Sequence, residues 1–154
     1  MTRNLCAFYL MLPLLIPTLA AAGGIPCYVQ LVKETCYNGY QVTLQVQDGT
    51  TQENIGAPVI VDAHSYDKLQ QFSCKPNQQV TVQATFTPTI WQNTANTIYH
   101  VKRFWTVPTT LPPMSDKWII TLCFAKDFVA VPLPPKGADS CICNYPVNDK
   151  TQKM

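Results

Sequence analysis

The hydrophobic pattern along this chain has a period of two. Across residues 39–47, Tyr40, Val42, Leu44 and Val46 alternate with Gln41, Thr43, Gln45 and Gln47. That is the mark of a strand with one face on a core and the other in water. Residues 79–87 repeat the pattern, with Val80, Val82, Ala84 and Phe86 on one side and Gln and Thr on the other. Residues 27–33 form a third candidate, joined to the next strand through Asn38-Gly39, a pair that favours tight hairpins. Val59, Ile60 and Val61 mark a short apolar strand within residues 58–63. Residues 97–107 read as a longer strand with Tyr99, Val101, Arg103, Trp105 and Val107 on one face. Residues 117–124 place Trp118, Ile120, Leu122 and Phe124 together, with Cys123 opposite. A last short strand is expected over 127–131. Only residues 65–72 fit a helix, of about two turns.

Turn and breaker residues separate these runs: Asp48-Gly49, Lys75-Pro76-Asn77, Thr87-Pro88 and Pro112-Pro113. Seven or eight short strands without helical alternation predict an all-β, disulfide-stabilised antiparallel β-sandwich or small barrel, in which an immunoglobulin-like topology has room. The Trp residues do not fall where a cysteine–tryptophan–cysteine order would need them, so the expectation is an architecture and not a family.

The first residues change the picture of compartment. Arg3, an apolar run over 5–19 and the small residues Ala20, Ala21, Ala22 and Gly23 predict a signal peptide over residues 1–22. The run is short and broken by Pro13 and Pro17, so no integral membrane span is expected after cleavage. A single exported domain then covers residues 23–154, with a Pro-rich, Cys-containing C-terminal tail over 132–154. The expected location is periplasmic or secreted.

Cysteine usage agrees. Cys6 falls in the leader, leaving Cys27, Cys36, Cys74, Cys123, Cys141 and Cys143, an even set that predicts three disulfides in an oxidising compartment. The pair Cys141/Cys143 offers three readings: a redox centre, metal ligands, or two anchors. In an extended chain their Cα atoms lie about 6.6 Å apart, near the outer limit for a bridge, and no helix, Lys or His in that stretch activates a thiolate. The expectation is that both sulfurs reach distant partners, Cys27 and Cys36, leaving Cys74 and Cys123 as a core bridge. A thiol–disulfide enzyme using Cys141/Cys143 is the rival reading.

Charge removes whole classes of function. With 13% charged residues and a formal net charge of +2, the chain carries no electrostatic footprint for nucleic acid. His64 and His100 are the only imidazoles, and no serine sits in a Gly-x-Ser-x-Gly elbow. No catalytic residue and no cofactor is therefore assigned. Asp62 and His64 form one weak metal pair, two ligands short of a zinc set. The remaining candidates are aromatic. Tyr99, Arg103, Phe104 and Trp105, with Trp91, combine the residue types over-represented at protein interfaces, although core packing and cation–π stacking would use the same residues. The expected function is a non-enzymatic exported domain that binds another protein, such as a subunit of a multi-subunit envelope complex like a secretion system; a secreted inhibitor or host-directed binder has the same sequence features.

Overall fold

A computed structural model describes residues 24–91, 96–135 and 141–145. The expected signal segment 1–22 and most of the tail lie outside the described residues. Eight strands follow in order: β1 (Cys27–Lys33), β2 (Gln41–Asp48), β3 (Val59–Val61), β4 (Asp67–Phe72), β5 (Gln79–Thr87), β6 (Tyr99–His100), β7 (Trp105–Thr106) and β8 (Trp118–Phe124). They form a three-stranded sheet ordered β4-β1-β8 and a five-stranded sheet ordered β3-β2-β5-β6, with β7 also paired to β5. The inward faces of both sheets merge in one hydrophobic cluster, so the molecule is all-β and sandwich-like, not a closed barrel.

The alternation dictates the core. Across β2 and β5, Val42 lies opposite Phe86, Leu44 opposite Ala84 and Val46 opposite Val82, all buried. The intervening positions pair Thr43 with Thr85 and Gln45 with Gln83, and they stay partly exposed. Between the sheets, the Tyr37 ring lies 5.0 Å from Phe124, 5.8 Å from Phe86 and 5.7 Å from Tyr40, each edge-on. Such pairs add to area burial through ring quadrupoles.

Four expectations need correcting. Residues 65–72 are not a helix: β4 runs antiparallel to β1, from Cys27 opposite Phe72 to Val32 opposite Asp67. The backbone of β1 needs partners on both sides, and that demand overrides a weak local helical pattern. Second, β1 and β2 do not make a hairpin. They belong to different sheets, linked by a single 3-10 turn at Thr35–Tyr37 with Asn38 in the right-handed helical region. Third, the long strand over 97–107 breaks in two. His100 pairs with Gln83 but Trp105 pairs with Val80, a shift of two in register, so residues are looped out between β6 and β7 as a bulge. Fourth, residues 127–131 keep one isolated bridge, Phe128 to Val101, and no strand. One further feature lay outside the antiparallel pattern: β1 and β8 pair in parallel, Cys27 opposite Trp118 through Lys33 opposite Phe124.

Three disulfides close the fold: Cys27–Cys74, Cys36–Cys141 and Cys123–Cys143. Cys36–Cys141 is one of the pairings the expectation allowed; Cys27–Cys74 and Cys123–Cys143 replace the expected Cys27 staple and Cys74–Cys123 core bridge. Because β4 lies beside β1, with Phe72 opposite Cys27, Cys74 two residues further on comes within bonding reach of Cys27. Cys123 sits level with Val32, five residues further along β1, or roughly 17 Å at strand rise, and is out of reach of Cys74. Three bridges indicate an oxidising, exported compartment. Among the described residues, no helix is long and apolar enough to cross a membrane.

Candidate functional site

The C-terminal segment returns to one short stretch, Glu34-Thr35-Cys36-Tyr37, between β1 and β2. Lys33 positions that stretch. Its side chain is buried, and Nζ donates to the carbonyls of Tyr40 at 2.7 Å and Asp62 at 2.8 Å. Desolvation lowers the Lys33 pKa to about 8, with the Asp62 carboxylate acting in the opposite direction. One amine thus ties the ends of two loops to the end of β1. Glu34 N–H then donates to Phe124 O at 2.6 Å and Thr35 N–H to Ile142 O at 2.9 Å. Ile142 N–H donates back to Thr35 Oγ1 at 3.3 Å, and Glu34 bridges Cys143. The fully buried Tyr37 donates its hydroxyl to Pro132 O at 2.7 Å. Burial, followed by the nearby Glu34 carboxylate, pushes that phenol above its ordinary range.

Cys141 and Cys143 therefore go to different partners, and no bond joins them. Their segment is held by two disulfides and by strand-like hydrogen bonds, and it turns Ile142 and Tyr145 outward, 60% and 44% exposed.

The aromatic candidates separate by environment. Tyr99 is in the core, 5% exposed and stacked on Phe86 at 5.6 Å, which is the core-packing alternative for this residue. Burial raises its phenol pKa. Arg103 lies over the Trp105 ring at 5.0 Å, and Trp105 is half-buried. Phe104 is 64% exposed and Trp91 55% exposed. Phe104 is five positions from Tyr99 and so falls on the opposite, outward face of an alternating strand. Looping out Lys102, Arg103 and Phe104 adds to this by taking Arg103, which shares the Tyr99 face, off the core side. The loop is anchored by Lys102 N–H to Asp127 O at 2.9 Å and by Lys102 Nζ to Lys126 O at 2.6 Å. Sequence periodicity could not locate this bulge, because an uninterrupted strand fits the same residues.

The metal candidates fare differently. Asp62 and His64 lie in an exposed turn after β3, where His64 has a φ of 67° and donates its N–H to Asn38 O at 2.6 Å. That is turn geometry, and neither residue belongs to a ligand cluster of three or more among the described residues. Glu34, Cys36 and Cys141 do have ligand atoms within 4.8 Å of one another. Their sulfurs are bonded to each other and offer no thiolate to a metal.

Among the described residues, two open depressions stand apart from these groups. One, of about 520 Å³, is lined by Gly24, Ile25, Pro26, Gly56, Phe72 and Cys74. The other, of about 290 Å³, lies on the outer face of the five-stranded sheet between Thr43, Gln45, Asn54, Gln83, Thr85 and Ile98. Neither gathers a nucleophile with a base. Comparison with protein-family models, with curated proteins and with solved structures finds no match to this chain.

Proposed function

We propose that this chain is a non-enzymatic, exported binding domain that docks on another protein as a small accessory or structural subunit of a cell-envelope assembly, such as a secretion system. The observation that carries the reading is the bulge between β6 and β7. It is fixed to the turn after β8 by two hydrogen bonds, and it holds Phe104 64% exposed beside the Arg103–Trp105 stack. A bulge re-aims side chains at the cost of ladder pairing. Aromatic and arginine side chains in a pre-ordered loop suit a protein interface, because little conformational freedom remains to be lost on binding. The low-charge Gln and Thr surface around it weakens hydration and favours association. The periplasm, or the envelope outside it, is the compartment that reading requires.

The test is the size of the protein in its native setting. Envelopes extracted in mild detergent, with disulfides intact, should yield the chain in a complex several-fold larger than the 17.2 kDa of all 154 residues. Phe104→Asp should release it as a folded monomer. Elution of the unaltered chain as a free monomer, with no reproducible neighbour, would sink the reading.

A further inference from the structure

Glu34 is 7% exposed and stands between two disulfides. Its Oε2 lies 4.0 Å from Cys36 Sγ and its Oε1 lies 3.9 Å from Cys123 Sγ. Oxidised sulfur carries no hydrogen, so neither contact is a hydrogen bond. The carboxylate does not cap the 3-10 turn that follows it. Here one oxygen faces each of the two bridges that hold the tail.

We propose that Glu34 is an electrostatic lock on these two bridges: its carboxylate disfavours the thiolates that must appear when either one opens. The opening reaction is thiol–disulfide exchange with an external dithiol. A reductant thiolate attacks the half-buried sulfur of Cys143 and forms a mixed disulfide. The Cys123–Cys143 bond breaks, and its electron pair leaves on Cys123 Sγ. The second reductant thiolate then displaces Cys143, so the reductant ends as a disulfide and the two cysteines take up two protons from water. The same steps apply to Cys141 and Cys36. In each case the leaving sulfur emerges about 4 Å from a like charge, and like charge disfavours the anion. Exchange slows as the leaving thiolate becomes less stable. For Cys36–Cys141 the attacking anion also enters this field, since Cys141 Sγ lies within the same 4.8 Å cluster. The third bridge, Cys27–Cys74, is at the other end of β1 and serves as an internal control. Asp127 is the other carboxylate near Cys123, and its Oδ2 accepts the Cys123 N–H at 2.7 Å; substituting Glu34 leaves it in place.

The experiment follows the opening of each bridge separately. The folded, oxidised chain is exposed to excess dithiothreitol at constant pH, quenched by alkylation at intervals, and mapped by mass spectrometry. Glu34→Gln keeps the shape and removes the charge; Glu34→Asp keeps the charge. The lock predicts that Glu34→Gln opens Cys36–Cys141 and Cys123–Cys143 on the order of 10-fold faster, with Cys27–Cys74 unchanged and Glu34→Asp close to the parent. Equal rates for parent and Glu34→Gln would overturn it. So would equal acceleration in both variants, which would mean loosened packing, and so would slower opening in Glu34→Gln. The result stands or falls independently of any binding partner.

Discussion

Replacing Lys33 with Met separates the charge of this residue from its volume. The side chain is buried, and its amine serves Tyr40 O and Asp62 O. At neutral pH the amine is charged both folded and unfolded, so the folded state carries the full burial cost. Its folded pKa of about 8 lies below the ordinary lysine value of 10.5. Between those values the unfolded chain binds more protons than the folded one. Stability therefore rises with pH through the window from 8 to 10.5, because the burial cost disappears once the folded amine is neutral. At 1.36 kcal/mol per pKa unit the ceiling is about 3 kcal/mol, and solvent screening near the loop ends brings the expected gain to about 1–2 kcal/mol. Lys33→Met has no such gain. It leaves two carbonyls to find water, which costs about 1–3 kcal/mol at pH 7. The assay is urea unfolding of both proteins, disulfides intact, at pH 7, 8, 9 and 10. The stability gap between parent and variant should widen by about 1–2 kcal/mol from pH 7 to 10. Parallel curves across that range would show that Lys33 is not desolvated as described.

Tyr37→Phe should cost about 1 kcal/mol and speed exchange of the Leu133 amide, the one backbone N–H within residues 132–135, because only the bond to Pro132 O is lost; denaturant unfolding and exchange mass spectrometry measure the two effects. Tyr99→Ala should destabilise by about 3–5 kcal/mol as a core cavity, whereas Phe104→Ala should stay within about 0.5 kcal/mol, a contrast readable by thermal melts. Cys123→Ser with Cys143→Ser should cost about 2–4 kcal/mol, yet leave the tail attached through Cys36–Cys141. Limited proteolysis should release the tail only when both bridges are absent.

The strands that were legible in the sequence are those with one wet and one dry face. In β2 and β5, Gln and Thr alternate with Val, Leu, Ala and Phe without a break, and their pairing follows from that pattern. In β4 the sequence Asp-Lys-Leu-Gln-Gln-Phe buries only Phe72, so no periodicity records its role. It is a strand because β1 lacks a partner on that side. The Cys27–Cys74 bridge is hidden in the sequence for the same reason, since only β4 carries Cys74 within reach of Cys27. The parallel pairing of β1 with β8 is a long-range property that no local pattern encodes. At the site, the cysteines and the aromatic strip were visible as residue types. Alternation alone sets Phe104 on the face opposite Tyr99; what no local pattern encodes is the two-residue register shift that takes Arg103 off the core-side face. Glu34 gave no signal at all, because its environment comes from Cys123 and the returning tail.

The binding role is tested most directly by a photo-reactive amino acid placed at Phe104 in the native envelope, with the same group at exposed Thr50, in the turn after β2, as the comparison. Illumination should give one discrete, reproducible protein adduct from position 104 and none from position 50. Equal labelling from both positions, or no adduct from position 104 in a folded and correctly exported chain, would contradict the account.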